Sequence, residues 1–399
     1  MRLILLTGLY LEENISTIIT NSKHGIENAA NNLQWNIVDG MRSVLGNQKV
    51  EIVNFPYIGN YPRHYRKMWY VPSVDNTSFI QDNRFCNLII YKKWDIYFRA
   101  YKSICESILR NGDDSVIVIY AINEAFIKAA VKAKIKYNNI KICLIVPDLL
   151  QGMIENLDWM HLLLLKRNIR VLRKQLPYID KYVFLSEHMR KFFEAQNGTY
   201  IVMEGIYNDK RESSITQIKT QYRDIVYTGN LAERYGILNL AKAFSRLAEK
   251  DLRLIICGIG GAYEELLRMS ENDNRIILKG QLPHSEILNI QRNATLLVNP
   301  RTSDGEFTKF SFPSKTMEYL ASGTPTLLYK LDGIPNEYYN YCFALGKWNG
   351  IDDLTQKIRA IINMPSEELK KIGMAARQFV LEKKNPIYQC SRMIEFLKT

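Results

Sequence analysis

The strongest constraint on this chain is a series of short, unbroken apolar runs, each stopping at a turn residue. In the first half they are Leu3–Leu6 before Thr7-Gly8, Val50–Asn54, Ser115–Tyr120, Ile140–Val146 and Lys181–Leu185. Strands that alternate apolar and polar residues are wetted on one face; unbroken runs are buried on both, as in a parallel sheet covered by helices. Helical patterns fall between them at Ile26–Leu45 and Glu124–Tyr137. After residue 205 the pattern restarts. Asp224–Tyr227 stops at Thr228-Gly229, Arg253–Cys257 at Gly258, Arg275–Leu278 near Gly280, Leu296–Val298 at Asn299-Pro300, and Thr326–Tyr329 follows. Helices are predicted at Ile237–Glu249, Tyr263–Ser270, Ser314–Ala321 and from Ile351 onward. The expected fold class is α/β, with two Rossmann-like doubly wound domains facing across a cleft. Their expected spans are 1–205 and 206–385, with a polar linker near 205–220 and a terminal helix 386–399 packing back on the first domain.

Composition removes several other classes. No apolar run approaches the ~20 residues of a membrane-spanning helix, and the apolar N-terminal stretch is too short for a signal peptide. The 6 Cys of the 399 residues are scattered, which disfavours a disulfide framework or zinc site and suits a reducing cytoplasm. No metal site is expected, and the 5 His stand isolated. The net charge of +12 calls for an anionic partner: nucleic acid, membrane surface or phosphorylated substrate. Residues 1–200 hold 26 Lys/Arg against 18 Asp/Glu, and residues 201–399 hold 27 against 23, so the excess lies mainly in the first half. No nucleic-acid-binding motif accompanies it, and no nucleic-acid partner is expected. A Walker loop, a nucleophile elbow and a GxGxxG after the first strand are also missing.

The segment Asn299–Pro325 (NPRTSDGEFTKFSFPSKTMEYLASGTP) carries the most chemistry. A strand ends, a charged loop follows, and Pro313 stands at the opening of a helix, where its missing N–H costs nothing. Ser314, Lys315 and Thr316 then occupy the first turn. Free amides, the helix dipole and the Lys315 charge together suit an anion. Glu318, one turn on, can accept two hydrogen bonds from a ribose diol. The same pattern also describes a capped surface helix with Glu318 stabilising its own N-terminal half.

The stretch Phe312–Pro325 (FPSKTMEYLASGTP) resembles the donor-binding motif of family 4 retaining glycosyltransferases, which have the GT-B fold. Four weaker segments follow the family's order. Tyr227–Gly236 is similar to its opening strand–loop–helix, Cys257–Gly260 to its next strand-end turn, Gly280–Pro283 to its nucleobase turn, and Met203–Ile206 to members that build bacterial surface polysaccharides. The resemblance implies that Glu318 holds the ribose and that the amides of Ser314, Lys315 and Thr316 bind the diphosphate. Gly8, Gly229, Gly258 and Leu282 fall at further donor-contacting positions. Where the family places two diphosphate-binding basic residues this chain has Asn230 and Tyr235, so Arg234 is the candidate charge. The family's Glu eight residues before the ribose Glu is Phe310 here, leaving Glu306 or Asp304 to supply a carboxylate toward the sugar. For Gly8, close approach of a phosphate and a plain turn are both open.

The resemblance implies front-face displacement without metal, a UDP- or GDP-linked sugar as donor substrate and no separate cofactor. Asp148, after the strand Ile140–Val146, is the candidate to orient or deprotonate the acceptor, a loop or helix-cap role being the alternative. Two basic segments bear on the acceptor. Asn60–Tyr70 mixes Arg63, Arg66 and Lys67 with aromatics, and Trp159–Gln175 has the period of a basic amphipathic helix. They suit a saccharide acceptor on a lipid diphosphate, met at the cytoplasmic face of an anionic membrane, a core-packing helix with a solvated basic face being the alternative for the second segment. A protein or small-molecule acceptor, or an inactive sugar-nucleotide-binding partner, are the alternatives.

Overall fold

A computed structural model describes residues 1–73, 79–112, 114–149, 167, 169–196, 198–209 and 221–399. The chain divides into two compact units, one of Met1–Ile206 with Pro386–Thr399, the other Tyr207–Asn385.

In the first unit the strands are β1 (Arg2–Thr7), β2 (Val50–Asn54), β3 (Trp69–Tyr70), β4 (Ile80–Asp82), β5 (Phe85–Cys86), β6 (Ser115–Tyr120), β7 (Lys141–Val146), β8 (Lys181–Phe184) and β9 (Tyr200–Val202). Seven form one sheet in the order β4-β2-β1-β6-β7-β8-β9, parallel at every pairing. Every residue of β2 and β6 is buried, as unbroken apolar runs require. β3 and β5 form a separate antiparallel pair. Helix Asn28–Leu45 and the terminal helix Pro386–Lys398 cover one face. They close so tightly that a Cβ on Gly40 would lie 2.3 Å from the Pro386 carbonyl oxygen.

The second unit holds β10 (Arg223–Thr228), β11 (Leu252–Cys257), β12 (Ile276–Gly280), β13 (Leu296–Asn299), β14 (Thr326–Tyr329) and β15 (Phe343–Leu345). Their order is β12-β11-β10-β13-β14-β15, again parallel throughout. The direction of strand addition reverses between β10 and β13, and such a reversal opens a crevice at the carboxyl ends of the strands.

Three expectations shift. The helix expected over Ile237–Glu249 stops at Phe244, because Ser245 begins a turn. The helix Lys92–Asn111 was not expected, nor were the short edge strands β9 and β15. Of the basic segment 159–175 the structure describes 167 and 169–175, helical to Arg173; Trp159, Lys166 and the linker residues 210–220 lie outside the described residues.

Candidate functional site

In the second unit, Pro313 caps the helix Ser314–Ser322, and Gly323 ends it with φ +83. Among the described residues the N–H groups of Ser314 and Lys315 have no hydrogen-bond acceptor. Thr316 departs from expectation. Its N–H donates to the Pro313 carbonyl at 2.8 Å and its side chain is wholly buried, so it offers no amide to an anion.

Glu318 is largely covered. Its Oε1 accepts from Lys315 Nζ at 2.9 Å and from Gln291 Nε2 at 2.6 Å. Gln291 is completely buried on the helix His284–Arg292, and its Nε2 also donates to Thr228 Oγ1 at 2.8 Å. The Tyr319 hydroxyl accepts from the Thr228 N–H at 2.7 Å and donates to the Thr228 carbonyl at 3.1 Å. The helix is thereby fastened to the carboxyl end of β10, with Glu318 held at the strand reversal. Burial pushes the Cys257 thiol, at the end of β11, up to about 11, opposed by the charge of Lys279 and then of Lys315.

The loops after β10 and β13 touch: a Cβ on Gly236 would lie 2.2 Å from the Pro300 carbonyl oxygen. Arg234 is exposed, its guanidinium 5.3 Å from the Tyr235 ring centre. Arg301 is buried at 5.4 Å from the same ring and donates to Ser311 Oγ at 3.0 Å. Burial lowers its pKa, Tyr235 opposes this, and Arg234 adds like-charge repulsion. Sequence reasoning placed Arg301 only among the charges of the loop that follows Asn299, and it missed Gln291. The signal for Arg301 was its place two residues past a strand end. Gln291 had none.

Other expected residues take different roles. The N–H of Gly229 donates to the Cys257 carbonyl and that of Gly258 to the Gly280 carbonyl, so neither amide is presented to a phosphate. A Cβ on Gly258 would lie 1.8 Å from the Gly229 carbonyl oxygen; the glycine exists for loop-on-loop packing. Asn230 is exposed and accepts the Ala232 N–H on its side chain, shaping the loop. Leu282 is half-buried against the cluster that contains Tyr319. Glu306 opens the short helix Glu306–Lys309, its side chain lying outside the described atoms. Asp304 is exposed, and its charge helps to raise the Tyr329 hydroxyl pKa, after burial and Asp353.

In the first unit, Gly8 is corrected from a phosphate contact to a packing position. Its N–H donates to Gln34 Oε1 at 2.7 Å, and a Cβ there would lie 2.3 Å from the Tyr57 ring. Tyr57 donates to the Tyr120 carbonyl at 2.7 Å and accepts at its own carbonyl from the Tyr10 hydroxyl at 2.6 Å. Asp148 lies just past the carboxyl end of β7. Crowding by the protein raises its carboxyl pKa, and the Glu27 charge adds to this. Beyond Tyr57, a cavity of about 410 Å³ is lined by Asn60, Lys92, Lys93, Asn123 and Gln175 among others. Desolvation lowers Lys92 to about 8, and its ammonium donates to the Ile58 carbonyl. Ala121, at the cavity wall, has φ +66, a strained value for a residue with a side chain.

Residues 208–379 match the family model described as glycosyl transferases group 1. That match spans nearly all of the second unit. A search of curated proteins found no match. Among solved structures, Anabaena Alr3699/HepE in complex with UDP is similar over 100% of both chains at 12% identity and TM-score 0.64. The lipopolysaccharide outer core galactosyltransferase WaaB covers 100% of this chain and 99% of its own, at 14% identity and TM-score 0.61. A glycosyltransferase from Rickettsia africae ESF-5 covers 100% and 98%, at 14% identity and TM-score 0.63. The fold is GT-B.

Proposed function

We propose that the chain is a retaining, metal-independent glycosyltransferase. It moves a hexose from a UDP- or GDP-linked donor to a lipid-linked saccharide at an anionic membrane surface, in the synthesis of a bacterial surface polysaccharide. One observation carries the reading: within the part that matches group 1 glycosyl transferases, a helix opening with two unclaimed amides, an adjacent Lys315 and a fixed Glu318 stand together at the strand reversal. The Ser314 and Lys315 amides, with Lys315 and Arg234, neutralise the charge that develops on the departing diphosphate. Glu318 receives the ribose hydroxyls, and Lys315 exchanges its contact with Glu318 for one with phosphate when the donor arrives. Asp148, its pKa raised, serves as base toward the acceptor hydroxyl. Positioning of acceptor against donor supplies the rest of the barrier reduction.

The test is calorimetric binding of UDP and GDP to the wild type and to Glu318→Ala. Loss of a hydrogen bond to a charged group predicts weakening by about 1.5–3 kcal/mol. Unchanged affinity removes the ribose role. Binding without release of diphosphate from any sugar nucleotide, acceptor extract included, would make the chain an inactive binding partner, the outcome that Phe310 in place of a carboxylate favours.

A further inference from the structure

The helix Lys92–Asn111 has two apolar faces, and its own unit uses one. Ile96, Ala100, Ile104 and Ile108 are buried. Trp94 and Phe98, one turn apart with rings stacked at 6.2 Å, are 62% and 54% exposed. The turn leading into the helix adds Ile89, Ile90 and Tyr91, exposed at 66%, 75% and 64%. Such a contiguous apolar surface marks an interaction site rather than scattered exposure. We propose that this face of the first unit rests on an anionic lipid bilayer, an inference that rests on the lipid-linked acceptor proposed above.

Charge selects the occupant. Residues 56–73 and 83–94 contain no Asp or Glu. Backbone pairing joins them: Trp69 lies opposite Cys86, the Asn87 N–H donates to the Met68 carbonyl, and Tyr61 bridges Leu88. Arg63, Arg66, Lys67 and Arg84 on these segments are exposed, with no acidic partner among the described residues. Exposed Trp, Tyr and Ile beside unpaired basic residues is the composition of a surface that sits at the headgroup level of an acidic membrane. A protein partner of ordinary composition offers no such one-signed complement. The surface also continues inward, since Ile89 and Lys93 line the 410 Å³ cavity. A bilayer here presents the headgroup of a lipid-borne acceptor to Asn60, Lys92 and Asn123. Among the described residues no helix is long and apolar enough to cross a membrane.

Vesicle flotation of the full chain tests this, with phosphatidylcholine alone and with phosphatidylglycerol added. The wild type should float with the anionic vesicles only. The variant Ile90→Glu/Trp94→Glu, and separately Arg63→Glu/Lys67→Glu, should each lose about tenfold or more in partitioning. Thermal shift with UDP and GDP in the same variants should match the wild type, which excludes misfolding. Equal flotation of variants and wild type, or equal recovery on neutral and anionic lipid, overturns the proposal. So does lipid-free sedimentation that finds a wild-type dimer and a monomeric Ile90→Glu/Trp94→Glu, because the face would then join two copies. A wild type that floats but shows no nucleotide shift refutes the sugar-transfer reading instead.

Discussion

Replacing Gln291 with Leu removes the side chain that holds Glu318 in place. Its Nε2 makes two bonds: a charge-assisted one to Glu318 Oε1 at 2.6 Å and a neutral one to Thr228 Oγ1 at 2.8 Å. Their loss costs about 1.5–3 and about 1 kcal/mol. Gln291 Oε1, however, is buried without a partner, and deleting it returns about 1–2 kcal/mol of desolvation. The net expectation is a loss of about 0.5–3 kcal/mol in the stability of the second unit. Donor affinity should fall as well, because Glu318 then keeps Lys315 as its one side-chain partner among the described residues. Gln291→Glu places a second carboxylate against Glu318. Two carboxylates in contact resist holding both charges, so the penalty is present at neutral pH and lifts as pH falls and one of them takes up a proton. Urea unfolding at pH 7.5 and pH 5, followed by circular dichroism, with UDP titration of each variant, measures all of this. If Gln291→Leu matched the wild type in both stability and UDP affinity, Gln291 would not be the support of Glu318. If Gln291→Glu were no less stable at pH 7.5 than at pH 5, the 2.6 Å contact would be refuted.

Gly258→Ala, with φ +147 and a Cβ that would lie 1.8 Å from the Gly229 carbonyl oxygen, should cost about 3 kcal/mol or more; a melting temperature within a degree or two of the wild type would contradict the loop contact. Gly8→Ala should be destabilising through its clash with Tyr57, so a double-mutant cycle with Tyr57→Ala should show strong coupling; additive effects would remove the packing role. Lys92 is depressed to about 8 from 10.5, so the fold carries the cost of a buried charge below pH 8 and sheds it as pH rises toward 10.5. Stability should therefore increase over that window, by up to about 3 kcal/mol, and Lys92→Met should flatten the rise in a pH series of urea midpoints. Asp148→Asn should lower kcat by about 10²-fold or more. In the wild type, activity should be gained as pH rises through the raised pKa of Asp148, and that acid limb should vanish in the variant; an unaltered pH profile would remove Asp148 as base.

Local sequence carried the elements whose burial is total. Val50–Asn54, Ser115–Tyr120 and Thr326–Tyr329 read as strands at their observed limits because every side chain in them is apolar or packed. Lys92–Asn111 did not read as a helix, since Trp94 and Phe98 on its exposed face blur the apolar period that its buried face would otherwise show. Edge strands β9 and β15 are three residues each, too short for a pattern.

The sequence alone determined the parallel α/β architecture and a helix opening at Ser314 with Lys315 and Glu318 on adjoining turns, because those depend on neighbours within a few residues. The tertiary structure decided what surrounds that turn. Gln291 reaches Glu318 across 27 positions and Thr228 across 63, Thr316 spends its amide on Pro313, and Tyr57, from 49 positions away in sequence, fills the space beside Gly8. Such contacts are fixed by how strands order themselves in the sheet, and no local pattern of residues encodes which distant side chain will arrive.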